Sequence, residues 1–222
     1  MTRVCKVPGL QDRYCDIYER DGDRRTFPGQ LDPAGHAVYT AVDRGEIDPG
    51  QALPLMAAYL TAGMDTTINS ISNALWLFGL FPHEWEKLRR GELSPAAAFN
   101  EVLRFESPVY VFARTAARDV AFGQVTVPEG SRVAVLYGSA NRDERRWSHA
   151  ESFDVSRHAA DHLGFGYGTH GCAGQGLVRL EAQALLAALV RQVERIEVSQ
   201  PVRRLNNGIR GLESLSVTLV PA

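Results

Sequence analysis

From Pro49 to Leu80 the chain carries one charged side chain, Asp65, in a run that otherwise reads as a single long helix. A helix this long and this uncharged has no face suited to water, so the protein around it must enclose it. The run is not a membrane span, because Thr61, Asp65, Thr66, Thr67, Asn69 and Ser70 interrupt its middle. Asp48-Pro49 supplies the helix start and Pro82 breaks it.

Shorter elements flank it. Asp32-Pro33 opens an amphipathic helix that ends before Gly45, Pro82 opens another through Arg90, and Ser94-Pro95 caps a third ending near Phe105. Beyond Pro108 the texture changes to β-branched runs at Val109–Val111, Val120–Phe122, Val125–Val127 and Arg132–Val135, divided by Gly123, Pro128 and Gly130, which predict hairpin strands. From Asn141 to Thr169 periodicity disappears into a long polar loop. Helical spacing returns from Gln175 to Val193, where Leu177, Leu180, Ala184, Leu185, Ala188 and Leu189 predict the buried face, and one more strand is expected at Leu215–Val220. Residues 1–30 are poorly defined, with a short helix near Leu10–Tyr18 and then loop. The fold class expected is mainly α with small β-sheets, an α+β arrangement, organised over residues 31–222.

Composition narrows the function. Twenty-four basic against 26 acidic side chains leave a formal charge of −2, which gives no field for nucleic acid or a membrane surface. Cys5, Cys15 and Cys172 are too few for a disulfide framework, and the first residues hold no apolar export segment, so a cytoplasmic location is expected.

Four places could carry chemistry. Cys172 closes the loop Phe165-Gly166-Tyr167-Gly168-Thr169-His170-Gly171, and Ala173-Gly174 then leads into a helix. Glycines let backbone fold around a sulfur, and amides at a helix start favour a thiolate; a buried cysteine in a helix-entry turn is the plain alternative. In Ala62-Gly63-Met64-Asp65-Thr66-Thr67 a carboxylate and a hydroxyl interrupt the apolar helix, which is costly unless they serve a cavity, although close small-residue packing would also explain the segment. Glu101 and Arg104 stand three apart on one helix, the spacing of an ordinary ion pair. His158, His162, His170 and Cys172 have a spacing that zinc could use, but glycines crowd Cys172 and no second cysteine lies nearby.

Taken in order, Ala62-Gly63-x-Asp65-Thr66-Thr67, Glu101-x2-Arg104 and Phe165-x2-Gly168-x3-Cys172-x-Gly174 closely resemble the three signatures of cytochrome P450. Asn141-Arg142-Asp143, Phe153-Asp154 and Arg157 are similar to the loop that precedes the cysteine in that family. Ser139–Asp143, Gly164-Phe165-Gly166 and Asn206–Leu215 look like those of bacterial members that hydroxylate or O-demethylate para-substituted benzoic acids, such as 4-methoxybenzoate.

The resemblance implies a haem-thiolate monooxygenase that uses O2 on a small organic substrate, with haem b (iron protoporphyrin IX) as cofactor. Cys172 would be the axial ligand of the haem iron, Phe165 and Gly166 would shape the sulfur's surroundings, and His170 and Arg114 would face the propionates. Asp65 and Thr66 match the acid and alcohol used for proton delivery. Ala62, Val109 and Phe112 are expected to face substrate. Glu101 and Arg104 are structural, and Arg157 is the expected third member of their cluster, since Ser152 stands where many members have the arginine. Electrons would come from a ferredoxin and its reductase, with Arg142, Arg145, Arg146 and Arg179 as a docking patch.

Members of the family are nearly twice this long, and the likeness is to their C-terminal half, from the long central helix to the cysteine loop and the helix after it. The alternative is therefore a truncated, catalytically inactive haem-binding remnant, expected to aggregate or to bind haem weakly.

Overall fold

The structure, a computed structural model, describes residues 33–206 and 208–222. The chain divides into two compact units, Met1–Tyr59 and Leu60–Ala222. The expected helix near Leu10–Tyr18, and Cys5 and Cys15, lie outside the described residues.

In the first unit, helix α1 (Pro33–Asp43) ends in a turn with Gly45 in the left-handed region at φ 70°. Helix α2 (Pro49–Leu80) follows. Pro54 lies inside α2, a breaker that the reading of an uninterrupted run overlooked; its ring removes the amide that would reach the Gly50 carbonyl.

In the second unit α2 continues to Leu80, and helices α3 (Pro82–Arg89) and α4 (Pro95–Phe105) follow. Ser94 Oγ caps α4 by accepting from Ala97 N at 3.2 Å. Four two-stranded antiparallel sheets come next: β1 (Phe112–Thr115) with β4 (Arg132–Val135), β2 (Val120–Phe122) with β3 (Val125–Val127), β5 (Val193–Val198) with β8 (Val217–Pro221), and β6 (Val202–Arg203) with β7 (Leu212–Ser214). A short helix α5 (Tyr137–Ala140) precedes the long loop, and α6 (Gln175–Gln192) follows it. The architecture is mainly α with small β-sheets, as the sequence predicts.

Four expectations are corrected. Val109–Val111 is not a strand; only Val109 bridges, to Ile209, because the segment's partner is β4 and the ladder starts at Phe112. The strand expected at Leu215–Val220 is present as β8 but starts at Val217, because Leu215 and Ser216 lie between it and β7, which pairs in another sheet. Helix α6 turns Val178, Ala182 and Leu186 inward and leaves Leu177 and Leu180 exposed, since it is apolar on two sides and spacing alone does not choose between them. Helix α2 is not enclosed along its whole length: apart from Ala52, its buried side chains, Asn69, Ser70, Asn73, Ala74, Leu77 and Phe78, lie in its C-terminal half.

The core joins Leu77 and Phe78 of α2, Trp85 and Leu88 of α3, Phe99, Val102 and Leu103 of α4, Phe153 and Val155 of the loop, and Ile196 of β5. Phe78 meets Trp85 and Phe153 edge-on, with ring centroids 5.4 and 5.9 Å apart. Trp85 Nε1 donates to the Glu194 carbonyl at 3.1 Å, so its polar edge is satisfied. Buried Glu84 accepts from Lys87 Nζ at 2.8 Å and from Val155 N at 2.9 Å, pinning α3 to the long loop.

Candidate functional site

The loop before α6 folds in two 3-10 turns, Leu163–Phe165 and Gly168–His170. Between them Gly166 adopts φ 72° and ψ −164°, a conformation reserved for glycine, and a Cβ there would stand 3.0 Å from the His170 carbonyl oxygen. The chain then doubles back so that Cys172 N donates to Phe165 O at 2.8 Å. Cys172 is exposed and is a free thiol, and α6 starts three residues later with Gly174 as its N-cap and no side chain occupying the cap. A small loop thus presents one thiol to the outside ahead of the positive end of an 18-residue helix.

His162 closes the back of this loop. Its Nδ1 accepts from Gly164 N at 2.9 Å, its ring lies 5.3 Å from that of Phe165, and its Nε2 is buried without a hydrogen-bond partner. Burial first, then the Arg179 and Arg104 charges, pushes its pKa down to about 4. The imidazole is therefore a neutral, packed wall. Arg179 also lies over Phe165, with its guanidinium carbon 4.9 Å from the ring centroid.

Glu101 and Arg104 of α4 come together with Arg157 of the long loop. Arg104 Nε and Nη2 donate to the two Glu101 carboxylate oxygens at 2.7 and 2.8 Å, and its nitrogens also reach the carbonyls of Asn141, Ala150 and Ser152. Arg157 Nε donates to Glu101 Oε1 at 3.3 Å and its Nη1 to the Ser148 carbonyl at 2.6 Å. Helix α4 is thereby tied to the loop that precedes the cysteine.

On α2, Thr66 Oγ1 donates to the Ala62 carbonyl one turn earlier at 2.7 Å. Asp65 is half-exposed and pairs with Arg204 at 3.6 Å. Arg114, in β1, donates to the Tyr137 hydroxyl at 3.3 Å and lies over Phe112, while His170 is exposed. Val109 bridges Ile209, and beside it Arg210 N donates to the Pro108 carbonyl at 2.6 Å and Tyr110 Oη to the Asn206 carbonyl at 3.3 Å; Phe112 instead opens the ladder with β4, opposite Val135.

Two features escaped the sequence reading. Glu106, buried, gathers Arg203 at 3.1 Å, Arg210 at 3.2 Å and Arg142 at 3.7 Å, partners too far apart in the chain to form a local pattern. Arg142 is not free for docking, because its guanidinium stacks on Phe105 at 3.6 Å and donates to the Phe105 carbonyl at 2.6 and 2.9 Å. Arg145 and Arg146 are exposed but already pair with Asp143 and Asp161, and the Arg145 hydrogen bonds pull the Asp143 pKa down to about 2. Among the described residues, no three His, Cys, Asp or Glu side chains are grouped to hold a metal ion, and no helix is long and apolar enough to cross a membrane.

The sequence model described as Cytochrome P450 matches residues 96–212, a range that contains Glu101, Arg104, Arg157 and Cys172. Among curated proteins, the chain is 46% identical over 189 residues to cytochrome p450 CYP199A2 of Rhodopseudomonas palustris, covering 85% of this chain and 46% of that one. It is 37% identical over 226 residues to linalool 8-monooxygenase of Pseudomonas putida, covering 98% of this chain and 53% of the relative. The chain spans about half the length of the curated relatives it matches. Among solved structures, cytochrome P450 CREJ superposes with a TM-score of 0.77 at 35% identity, over 82% of this chain and 46% of that one.

Proposed function

The chain belongs to the cytochrome P450 family, and from that membership we propose that it carries the haem-thiolate centre of a monooxygenase acting on a small aromatic carboxylic acid. The observation that supports this most is the presentation of Cys172: an exposed thiol, held by its own backbone amide on Phe165 O, ahead of the N-terminus of α6. The fit to haem is favourable. Gly174 leaves the sulfur uncrowded, since a Cβ there would lie 3.9 Å from Cys172 Sγ, and the exposed side chains Leu177 and Leu180 offer apolar surface on the helix that follows.

The Cys172 thiolate would hold haem b, which would supply O2 activation. The other residues have tasks of their own. Phe165, in contact with His162 and Arg179, would limit water at the sulfur. Arg114 and His170 are the cationic or hydrogen-bonding partners proposed for the propionates. Asp65, half-exposed, can take a proton from water at its carboxylate, and the Thr66 hydroxyl can pass one on once it leaves the Ala62 carbonyl. Glu101, Arg104 and Arg157 hold the long loop that precedes the cysteine against α4.

Ala62, Val109 and Phe112 are the proposed substrate wall. Val109 bridges Ile209, part of the stretch that looks like that of enzymes for para-substituted benzoates. Hydroxylation or O-demethylation is the reaction proposed, with a ferredoxin and its reductase supplying electrons in a cytoplasmic setting. A second reading, a haem-binding chain without turnover, is favoured by one observation: Leu60, Met64 and Ile68 of α2 are 52%, 66% and 56% exposed.

The test is to load the chain with haem, reduce it and add carbon monoxide. A red-shifted, thiolate-type Soret band is expected, and Cys172→Ser should abolish it; an unchanged band in the variant would refute the ligand assignment. Product formation from 4-methoxybenzoate with a ferredoxin and its reductase then decides between the two readings.

A further inference from the structure

Between the Glu101–Arg104 cluster and the cysteine loop stands one fully buried side chain, Asn141, at the C-terminal end of α5. Its Oδ1 accepts from Leu163 N at 2.7 Å, at the start of the 3-10 turn that carries Phe165. Its Nδ2 donates to Ser107 Oγ at 2.7 Å, and that hydroxyl donates in turn to the Leu103 carbonyl of α4 at 2.7 Å. Its own carbonyl accepts from Arg104 Nη1 at 2.8 Å. An unbroken path therefore leads from the α4 backbone through Ser107 and Asn141 into the Leu163–Phe165 turn, whose last carbonyl holds Cys172 N at 2.8 Å.

We infer that Asn141 is a positioning residue for Cys172, its carboxamide fixing the height and register of the cysteine loop over α4. The task demands a donor and an acceptor on two separate atoms of one short, uncharged side chain, an arrangement that the Asn141 carboxamide supplies. Leucine would match its size and satisfy neither Leu163 N nor Ser107, leaving a buried amide without its partner. The turn also sits close to α4: a Cβ on Gly164 would lie 3.0 Å from His162 Nδ1 and 3.3 Å from the Leu103 carbonyl oxygen. The significance for chemistry rests on the assignment of Cys172 as the iron ligand.

Amide hydrogen exchange on the 222-residue chain reads the geometry without haem. Asn141→Leu should speed exchange at the Leu163 and Cys172 amides about tenfold, while the β1–β4 pair changes by less than about twofold. Ser107→Ala, which keeps the Leu163 bond but loosens the carboxamide, should shift the same two amides less; this milder variant decides the question if Asn141→Leu does not fold. In the haem-loaded protein Asn141→Leu should convert part of the carbonmonoxy Soret band from thiolate type to a blue-shifted form. Unchanged exchange at both amides, or an even rise along the whole chain, would overturn the inference. Absence of a thiolate band in the unsubstituted protein would instead remove the haem reading and leave the exchange result to decide whether Asn141 holds the loop.

Discussion

Arg104 grips Glu101 through two parallel N–H···O bonds of 2.7 and 2.8 Å with both side chains wholly out of water. Bidentate geometry and further bonds to three carbonyls offset the cost of burying the guanidinium. Arg104→Ala leaves the buried Glu101 carboxylate with Arg157 and the Asp154 amide as its partners and removes a donor from three carbonyls. We expect a loss of about 3 to 5 kcal/mol in urea unfolding. A loss under about 1 kcal/mol, the range of exposed pairs, would show that water replaces the guanidinium without cost.

The second prediction separates two glycines of the cysteine region. Gly166 has φ 72° and its added Cβ would face the His170 carbonyl at 3.0 Å, whereas Gly176 lies inside α6 with nothing within 4 Å of an added Cβ. Gly166→Ala should destabilise the chain by about 1 to 3 kcal/mol and weaken the thiolate-type band. Gly176→Ala should raise the stability of the haem-free chain by about 0.5 to 1 kcal/mol. Equal effects of the two substitutions would mean that the Gly166 conformation imposes no constraint.

His162 sets a pH dependence. Its pKa is about 4 in the folded chain against 6.5 for a free imidazole, so between those values the unfolded chain binds the extra proton. Stability is full above pH 6.5, falls as pH drops through that window, and stops falling on this account below about 4. The amplitude is about 3 kcal/mol at most. His162→Gln should flatten that limb of a stability–pH curve; a slope identical to that of the unsubstituted chain would assign the acid sensitivity elsewhere.

Local signals in the sequence carried the helices well. Pro49, Pro82 and Pro95 each stand at the first position of a helix, where a missing amide costs nothing, and the β2–β3 hairpin follows from β-branched residues around Gly123. Harder to read was which side of an element is inside. Helix α6 offers two apolar stripes, and only packing against α4 selects the one through Val178, Ala182 and Leu186. In the site, Glu101 and Arg104 were visible as neighbours on one helix, but the addition of Arg157 came from the family resemblance alone. Nothing local announces that Arg203, Arg210 and Arg142 converge on Glu106, or that His162 is a buried wall and not a ligand.

The last prediction concerns how the hairpin of β6 and β7 sits on α2. Asp65, Asn69, Asn73 and Trp76 follow one another at helical spacing, so they form one stripe. Arg204 pairs with Asp65, Arg203 stacks on Trp76 at 4.4 Å, and Asn73 Nδ2 donates to the Glu106 carbonyl at 3.3 Å. Gly211, whose carbonyl accepts from Arg204 N at 3.1 Å, lies so close to Asn69 that an added Cβ would collide with its carboxamide. Asn69 cannot swing aside freely, because it is buried and its Nδ2 donates to the Asp65 carbonyl at 2.8 Å. Gly211→Ala should therefore cost about 1 to 3 kcal/mol by overpacking. In an Asn69→Ala background the same substitution should cost less than half as much, a coupling that a double-mutant cycle in urea unfolding measures directly. Equal penalties in both backgrounds would show that the hairpin relieves the contact by moving as a body, and the tight seat on α2 would then not be what holds Arg204 beside Asp65.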